Sequence, residues 1–158
     1  MTYLGTAAEA SATFHNAADT RTLSMRATTA RLVAPGSITS GQFGLFRWDM
    51  TPGAGGSGAH FHKTFSESFY ILDGTVKLFN GTKWVDAKAG DFLYVPEGGA
   101  HGFHNASDAE ASMIILFAPG APREHYFEEL AEIHATGRTL SKEEWIELWA
   151  RHDQYPVD

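Results

Sequence analysis

The sequence predicts an all-β domain, an antiparallel sandwich or small barrel, followed by two helices. Short apolar and β-branched runs recur between residues 31 and 118. Glycine-containing turn signals separate these runs every 7–10 residues, and no long helical pattern lies between them. Short connections indicate antiparallel pairing, because a parallel pair of strands needs a long crossover.

The first segment, residues 1–30, is rich in alanine and threonine and has weak periodicity. We interpret it as an N-terminal arm with one or two short strands. An open β-sandwich has unpaired edges, and a loose arm is a natural strand donor to a second copy. We therefore expect a homodimer in which the arm crosses to the partner.

Six runs are predicted to form the strands of a barrel over residues 31–120. Asp73-Gly74 and Asn80-Gly81 mark tight hairpin turns, because these pairs supply the positive φ angles that such turns need. The predicted strands are GQFGLFRWDM (41–50), SFYILDG (68–74), TVKLFNG (75–81), KWVDA (83–87), GDFLYVP (90–96) and SMIILFA (112–118).

The remaining segment, residues 121–158, predicts a helical extension. Its first helix is expected to end near Gly137 and has apolar residues at helical spacing: Tyr126, Phe127, Leu130 and Ile133. The second helix is expected to begin with a capping box formed by Ser141 and Glu144.

Composition limits the partners and the compartment. The net charge of −7 disfavours nucleic acid, whose phosphates attract basic surfaces. The absence of cysteine excludes disulfides, thiolate metal sites and thiol nucleophiles. The first twenty residues lack a signal-peptide pattern, and the longest apolar run, MIILFA (113–118), is too short to cross a membrane. We expect a cytoplasmic protein that binds neither nucleic acid nor membranes.

Four titratable residues predict a metal site. His60 and His62 alternate along a strand and so share a face. Glu67 opens the next strand, and antiparallel pairing of the two strands would bring it beside the histidines. His101 follows a proline- and glycine-rich turn that presents it rigidly. A histidine taken alone is more often a surface or hydrogen-bonded residue, but three imidazoles and a carboxylate at this spacing suit a transition-metal ion.

The spacing resembles the two motifs of the cupin family. The first motif, G-x5-H-x-H-x3,4-E-x6-G, departs from the family pattern only at its leading glycine, where Ala54 stands. The second, G-x5-P-x-G-x2-H-x3-N, is complete: Gly90, Pro96, Gly98, His101 and Asn105. The resemblance implies a cupin-type double-stranded β-helix (jelly-roll) barrel with one divalent ion of Fe, Ni, Mn, Cu or Zn. The implied ligands are His60, His62, Glu67 and His101.

Other polar residues near the motifs are excluded as ligands. His104 lies three residues from His101 and so faces the other way in a strand. Asn105 is expected to support a turn or strand. The histidines outside the motifs have no expected role: His15, His125, His134 and His152.

The substrate pocket is predicted from alternation. Phe69 shares the face of Glu67, and Phe103 shares that of His101, so both are expected to line the pocket. Arg47 and Lys63 are the cations near the ligands in the barrel segment, and neither is clearly inward. A phosphosugar or dicarboxylate would need a fixed cationic clamp, so we expect an apolar, aromatic small molecule.

The reaction is not fixed by the fold, because cupins share a fold far more than a function. The HxHxxxxE run and the FEEL sequence at 127–130 are similar to those of bacterial quercetinase-like cupins. This resemblance implies a metal-dependent dioxygenase acting on a hydroxylated aromatic or enol-bearing compound, with Glu67 as a catalytic base. A polyketide-type cyclase or isomerase using the metal as a Lewis acid stays open, as does a non-catalytic binding module.

Overall fold

The computed structural model describes residues 2–157, which form strands, two α-helices and one short 3-10 turn at Ala17–Asp19. The helices are α1 (Arg123–Ala135) and α2 (Lys142–Arg151). The strands are β1 (Thr22–Met25), β2 (Thr28–Ala34), β3 (Gly44–Met50), β4 (His60–Phe61), β5 (Ser66–Asp73), β6 (Thr75–Phe79), β7 (Trp84–Lys88), β8 (Phe92–Val95), β9 (Gly102–His104), β10 (Ala111–Ala118) and β11 (Tyr155–Pro156).

Two antiparallel sheets enclose the core. The larger has the order β1-β2-β3-β10-β5-β8, and the smaller has the order β7-β6-β9. Buried side chains of both sheets form one apolar cluster, in which Phe69 of β5 contacts Phe103 of β9 at a ring distance of 5.8 Å. The predicted all-β class, a jelly-roll barrel with two C-terminal helices, is confirmed.

Alternation explains how the strands fit the core. In β3, Phe46, Trp48 and Met50 are buried, whereas Arg47 between them is exposed. Both predicted hairpin glycines have positive φ angles, 72° at Gly74 and 91° at Gly81. A side chain at Gly74 would also place its Cβ 2.4 Å from the carbonyl oxygen of Glu110. These turns therefore require glycine.

The N-terminal segment divides within the predicted arm. Residues 2–21 are exposed except for half-buried Thr20 and hold no strand among the described residues, whereas β1 and β2 form the edge of the larger sheet. Ala30 and Leu32 of β2 are buried in the core. The predicted boundary between arm and barrel at residue 30 therefore falls inside β2 (Thr28–Ala34), which belongs to the barrel core.

The helices close one end of the barrel. Phe127 of α1 packs against Phe46 and Trp48, with ring distances of 5.1 and 4.9 Å. The predicted capping box begins α2: the Ser141 side chain accepts from the Glu144 amide, and the Ser141 amide donates to the Glu144 carboxylate. In the described part of the chain, neither helix is long and apolar enough to span a membrane.

Candidate metal centre

The structure brings the four predicted ligands together. One ligand atom from each of His60, His62, Glu67 and His101 lies within 4.8 Å of the others. All four side chains are buried, and His101 is fully covered. His60 belongs to β4 and Glu67 to β5, while His62 follows β4 and His101 precedes β9. The cluster therefore joins segments that are far apart in the sequence.

The path of the backbone differs from the expected pairing of the two ligand strands. His60 instead exchanges backbone hydrogen bonds with His101, at 2.8 and 2.9 Å, and β4 pairs with β11. The strand that carries Glu67 pairs with β10 and β8 in the larger sheet. Residues 63–65 carry the chain from the two-stranded sheet of β4 and β11 to the larger sheet, so Glu67 meets the histidines across the barrel interior.

Backbone carbonyls fix the orientation of all three imidazoles. Nδ1 of His60 lies 2.8 Å from the carbonyl oxygen of Gly58, and Nδ1 of His101 lies 2.9 Å from that of Gly99. Nδ1 of His62 lies 2.5 Å from the carbonyl oxygen of Asp153. A carbonyl oxygen only accepts, so each Nδ1 carries the proton and each neutral ring presents its Nε2 lone pair to the cluster. This is the tautomer that binds a metal through Nε2.

The carboxylate of Glu67 completes the donor set. Its Oε2 lies 2.7 Å from Nε2 of His101 and 3.0 Å from Nε2 of His62. With both rings neutral, the lone pairs of these nitrogens would face a carboxylate oxygen, which is repulsive unless a proton or a cation lies among them. Donor atoms around one ion at about 2.1 Å lie roughly 3 Å apart. The donor set and its spacing therefore fit a divalent transition-metal ion.

Electrostatics within the cluster point the same way. Burial alone would raise the pKa of Glu67, but His101 and His62 outweigh it and hold that pKa well below its usual range. Burial lowers the pKa of His101, but the attraction of Glu67 reverses the effect and raises it. Burial, together with repulsion from His101 when that ring is protonated, lowers the pKa of His60 to about 3. A negative carboxylate beside neutral His60 is suited to receiving a cation.

The segment after α2 supports the ligand loop, which sequence reasoning missed. Besides the carbonyl contact to His62, the Asp153 carboxylate accepts from the amides of Lys63 and Thr64 and from the Thr64 hydroxyl, at 2.6–3.1 Å. Tyr155 stacks on Phe61 at 5.3 Å, where β11 pairs with β4. The C-terminal segment is thus the outer shell of the candidate centre.

A buried arginine near the ligands was also missed. Arg123 opens α1, is 4 % exposed, and donates to the His152 carbonyl at 2.8 Å and to Oε1 of Gln154 at 3.1 Å. Its guanidinium carbon lies 4.3–5.5 Å from the centres of four aromatic rings: Phe65, Phe117, Tyr126 and Phe127. The available signal was helical spacing, because residue 123 shares a face with Tyr126 and Phe127.

A cavity of about 840 Å³ lies between the barrel and the two helices and includes the ligands His60 and Glu67 in its wall. Of the two residues predicted to line a substrate pocket, Phe103 lines this cavity and Phe69 does not. Phe69 is fully buried behind the wall, against His101 and Phe103. Alternation placed Phe69 on the correct face of β5, but its depth in the core removes it from the cavity.

The other excluded residues lie outside the cluster. His104 packs edge-on against Trp84 at 4.7 Å, on the far side of β9. Asn105 is buried and binds the backbone of Thr51, Ser107 and Ala109, which ties two loops together. Its interactions match the expected supporting role.

Comparison with known proteins shows a similarity to one family over the part of the chain that holds this site. Residues 46–117, which include all four clustered residues, match the family model described as Cupin domain. These matched residues are similar to a cupin domain. The helices, β11, the outer shell and Arg123 lie outside the matched residues. No curated protein matches the sequence.

Solved structures share the fold of the cupin domain. A predicted oxalate decarboxylase from Thermotoga maritima is 17% identical, with a TM-score of 0.60, over 68% of this chain and 99% of that one. The polyketide cyclase RemF from Streptomyces resistomycificus is 18% identical, with a TM-score of 0.57, over 68% and 80%. A sugar phosphate isomerase from Silicibacter pomeroyi is 24% identical, with a TM-score of 0.52, over 60% of each chain. Identities this low show the fold alone.

Proposed function

We propose that the protein is a metal-dependent cupin enzyme, a quercetinase-like dioxygenase that acts on a small aromatic or enol-bearing compound. The observation that carries this proposal is the buried His60, His62, Glu67 and His101 cluster, two members of which line a large cavity. When bound there, an Fe, Ni, Mn or Cu ion supplies Lewis-acid and redox chemistry.

The chain's own residues provide binding and proton transfer. Trp48, Phe103 and Phe127 line the cavity with aromatic surface that suits a flat ring. The helices cover this end of the barrel and limit the access of water to the substrate. The Glu67 carboxylate, which lies in the cavity wall, accepts the proton of a substrate hydroxyl.

A polyketide-type cyclase or isomerase is the second candidate. It needs the same carboxylate base and the same Lewis acid, but no oxygen. The position of Glu67 in the wall of a cavity lined by aromatic residues supports a cyclase or isomerase as well as it supports a dioxygenase. A non-catalytic binding module is the third.

Metal content and oxygen uptake separate the three. Natively purified protein is subjected to elemental analysis, and oxygen uptake is measured on a panel of flavonols and phenols, with chelated protein as the control. A redox-active metal with metal-dependent uptake supports the dioxygenase. Zinc with anaerobic turnover supports the cyclase or isomerase, and a bound metal without any turnover supports the binding module.

A further inference from the structure

The cavity wall has the opposite charge balance from the chain as a whole. The chain has a net charge of −7, yet the wall includes three arginines, Arg26, Arg123 and Arg138, and one carboxylate, Glu67. Arg26 is exposed, and Arg138 is exposed and paired with Glu144 at 2.8 Å. A divalent ion at the candidate centre would add to the positive charge. The cavity therefore favours an anion.

Arg123 is the buried member of this set. Among residues 2–157, no carboxylate lies within 4.0 Å of its guanidinium, and the hydrogen bonds that it makes go to the uncharged oxygens of His152 and Gln154. Its Nε is buried without a partner. Burial lowers the pKa of Arg123, with Tyr126 the largest opposing influence, but an arginine keeps its charge in proteins. The aromatic cage offsets only part of the cost of burying an unpaired cation.

Further unpaired polar atoms belong to residues of the same wall. Nε1 of Trp48 and Oγ of Ser57 are buried without a hydrogen-bond partner in the described chain, and both residues line the cavity with Arg123. An indole N–H and a guanidinium N–H only donate, and a hydroxyl can donate. These groups suit a ligand rich in acceptor oxygens. Because the atoms are shielded, a ligand reaches them only when the side chains turn toward the cavity.

We infer that Arg123 forms an anion subsite, and that the cavity takes a small aromatic or enol-type acid whose carboxylate or enolate oxygen pairs with the guanidinium. The ring of this acid lies against Trp48, Phe103 and Phe127, within reach of Glu67 and the metal centre. The subsite names the substrate class of the proposed function and rests on it for the location of the ligand. It adds an anionic group to the expected apolar, aromatic small molecule, because α1 contributes a buried cation to the cavity wall.

Benzoate and benzamide test the subsite, because they share a ring and differ in charge. Their binding is measured by calorimetry on the zinc-loaded protein and on the metal-free protein. We expect benzoate to bind roughly tenfold more tightly or better in both forms, the usual scale of a charge-assisted hydrogen bond. Arg123→Gln should lose this preference while binding benzamide as before, and Arg123→Lys should keep part of it. Arg47→Gln, which changes an exposed arginine that does not line this cavity, should retain the preference.

Several outcomes overturn the subsite: equal binding of the two probes by the unaltered protein, no binding of either at millimolar concentration, or a preference that survives Arg123→Gln. If Arg123→Gln fails to fold, the Arg123→Lys variant is used instead. An unchanged preference for benzoate in Arg123→Lys would show that the preference does not depend on the Arg123 guanidinium and would overturn the subsite. The assay needs neither oxygen nor turnover. If no oxygen uptake is found but the Arg123-dependent preference for benzoate is present, the dioxygenase is refuted and the subsite is retained. If oxygen uptake is found without that preference, the subsite is refuted and the dioxygenase is retained.

Discussion

The backbone carbonyl of Asp153 accepts a hydrogen bond from Nδ1 of His62 at 2.5 Å, across 91 positions of the sequence. The same residue holds the loop after His62 through its carboxylate, which binds Lys63 and Thr64. A backbone atom outside the matched cupin residues thus sets the tautomer and orientation of a candidate ligand. Outer-shell partners of this kind change metal affinity about 10–100-fold when they are lost.

Asp153→Gly keeps this carbonyl but removes the carboxylate contacts that hold it against the ligand loop. It should therefore weaken metal binding by up to about that factor. Asp153 has a φ of 53°, which glycine adopts without strain, so this variant removes the carboxylate and leaves the backbone conformation accessible. Asp153→Asn is the matched control, because an asparagine oxygen can still accept from Thr64. Competition with a chelating dye measures the affinities. Equal affinities for the two variants and the unaltered protein would contradict the role of Asp153.

Metal should stabilise the folded protein, because its ligands come together only in the fold. At a free metal concentration of 100 times Kd, chelation should lower the Tm by roughly 5–10 °C. His101→Ala should abolish this difference. His104→Ala, three residues away and packed against Trp84, should preserve it. Full metal occupancy in the His101→Ala variant would show that the ligand assignment is wrong.

Metal affinity should rise with pH. The pKa of His101 is raised above its ordinary value of 6.5, so a proton competes with the metal below that raised pKa. The pKa of His60 is lowered to about 3, so His60 stays neutral across this range. In the metal-free protein, the raised pKa of His101 stabilises the fold, and this stabilisation is fully present below the ordinary pKa of 6.5. It is lost as the pH rises through the raised pKa of His101 in the folded protein.

The metal-induced increase in Tm should consequently grow from pH 5.5 and level off above the pKa of His101. This increase in Tm is measured by thermal unfolding of metal-loaded and chelated protein over pH 5.5–8. Near pH 5.5, about one proton should be released for each metal ion bound. A constant increase over this range would contradict the assignment of His101 as the competing proton site.

Glu67→Gln separates a ligand from a base. A carboxamide oxygen can still approach the metal but cannot take a proton. If Glu67 acts as a base, the fully loaded variant should lose roughly a hundredfold or more in turnover, the usual scale for a positioned base. The rate is expressed per bound metal, so that reduced occupancy is not mistaken for reduced chemistry. A near-normal rate per metal would leave Glu67 as a ligand only.

A homodimer remains a prediction, and exposed apolar side chains on the larger sheet are the surface that we propose for it. The outer face of β5 and of the edge strand β8 exposes four large apolar side chains: Tyr70, Leu72, Phe92 and Tyr94. Residues 2–21 of the arm carry exposed Leu4 and Phe14. Light scattering at micromolar concentration should give a dimer, and deletion of residues 1–21 should shift it toward monomer. A monomer before and after the deletion would contradict the prediction.

Local patterns were sufficient for the six predicted strands, which are β3, β5, β6, β7, β8 and β10. The turn glycines predicted the hairpins, and period-two alternation predicted the inward faces of Phe69 and Phe103. The four clustered residues could be selected because each motif is a short stretch in which residue spacing is fixed. Pairing of β4 with β5 was wrong, since a two-residue strand carries too few side chains to indicate the sheet that it joins.

Contacts between segments that are far apart in the chain could not be predicted from local sequence patterns. The Asp153 carbonyl that orients His62 belongs to the backbone, which any residue supplies, so no side chain marks it in the sequence. Arg123 could be placed on a helix face, but only docking of α1 on the barrel puts it beside Phe65 and Phe117. Phe69 shows the same limit in another form, because alternation predicts a face and not a depth.

Pairing of β11 with β4 has a consequence for the order of assembly in the cell. A ribosome adding about 5–20 residues per second takes roughly 5–20 s to travel from Phe61 to Tyr155. During that interval the histidines of β4 have emerged, while the strand that pairs with them and the carbonyl that orients His62 do not yet exist. The nascent chain thus carries an incomplete candidate metal site during this interval. The candidate ligands and the groups that orient them are complete only after the last of these segments has been synthesised.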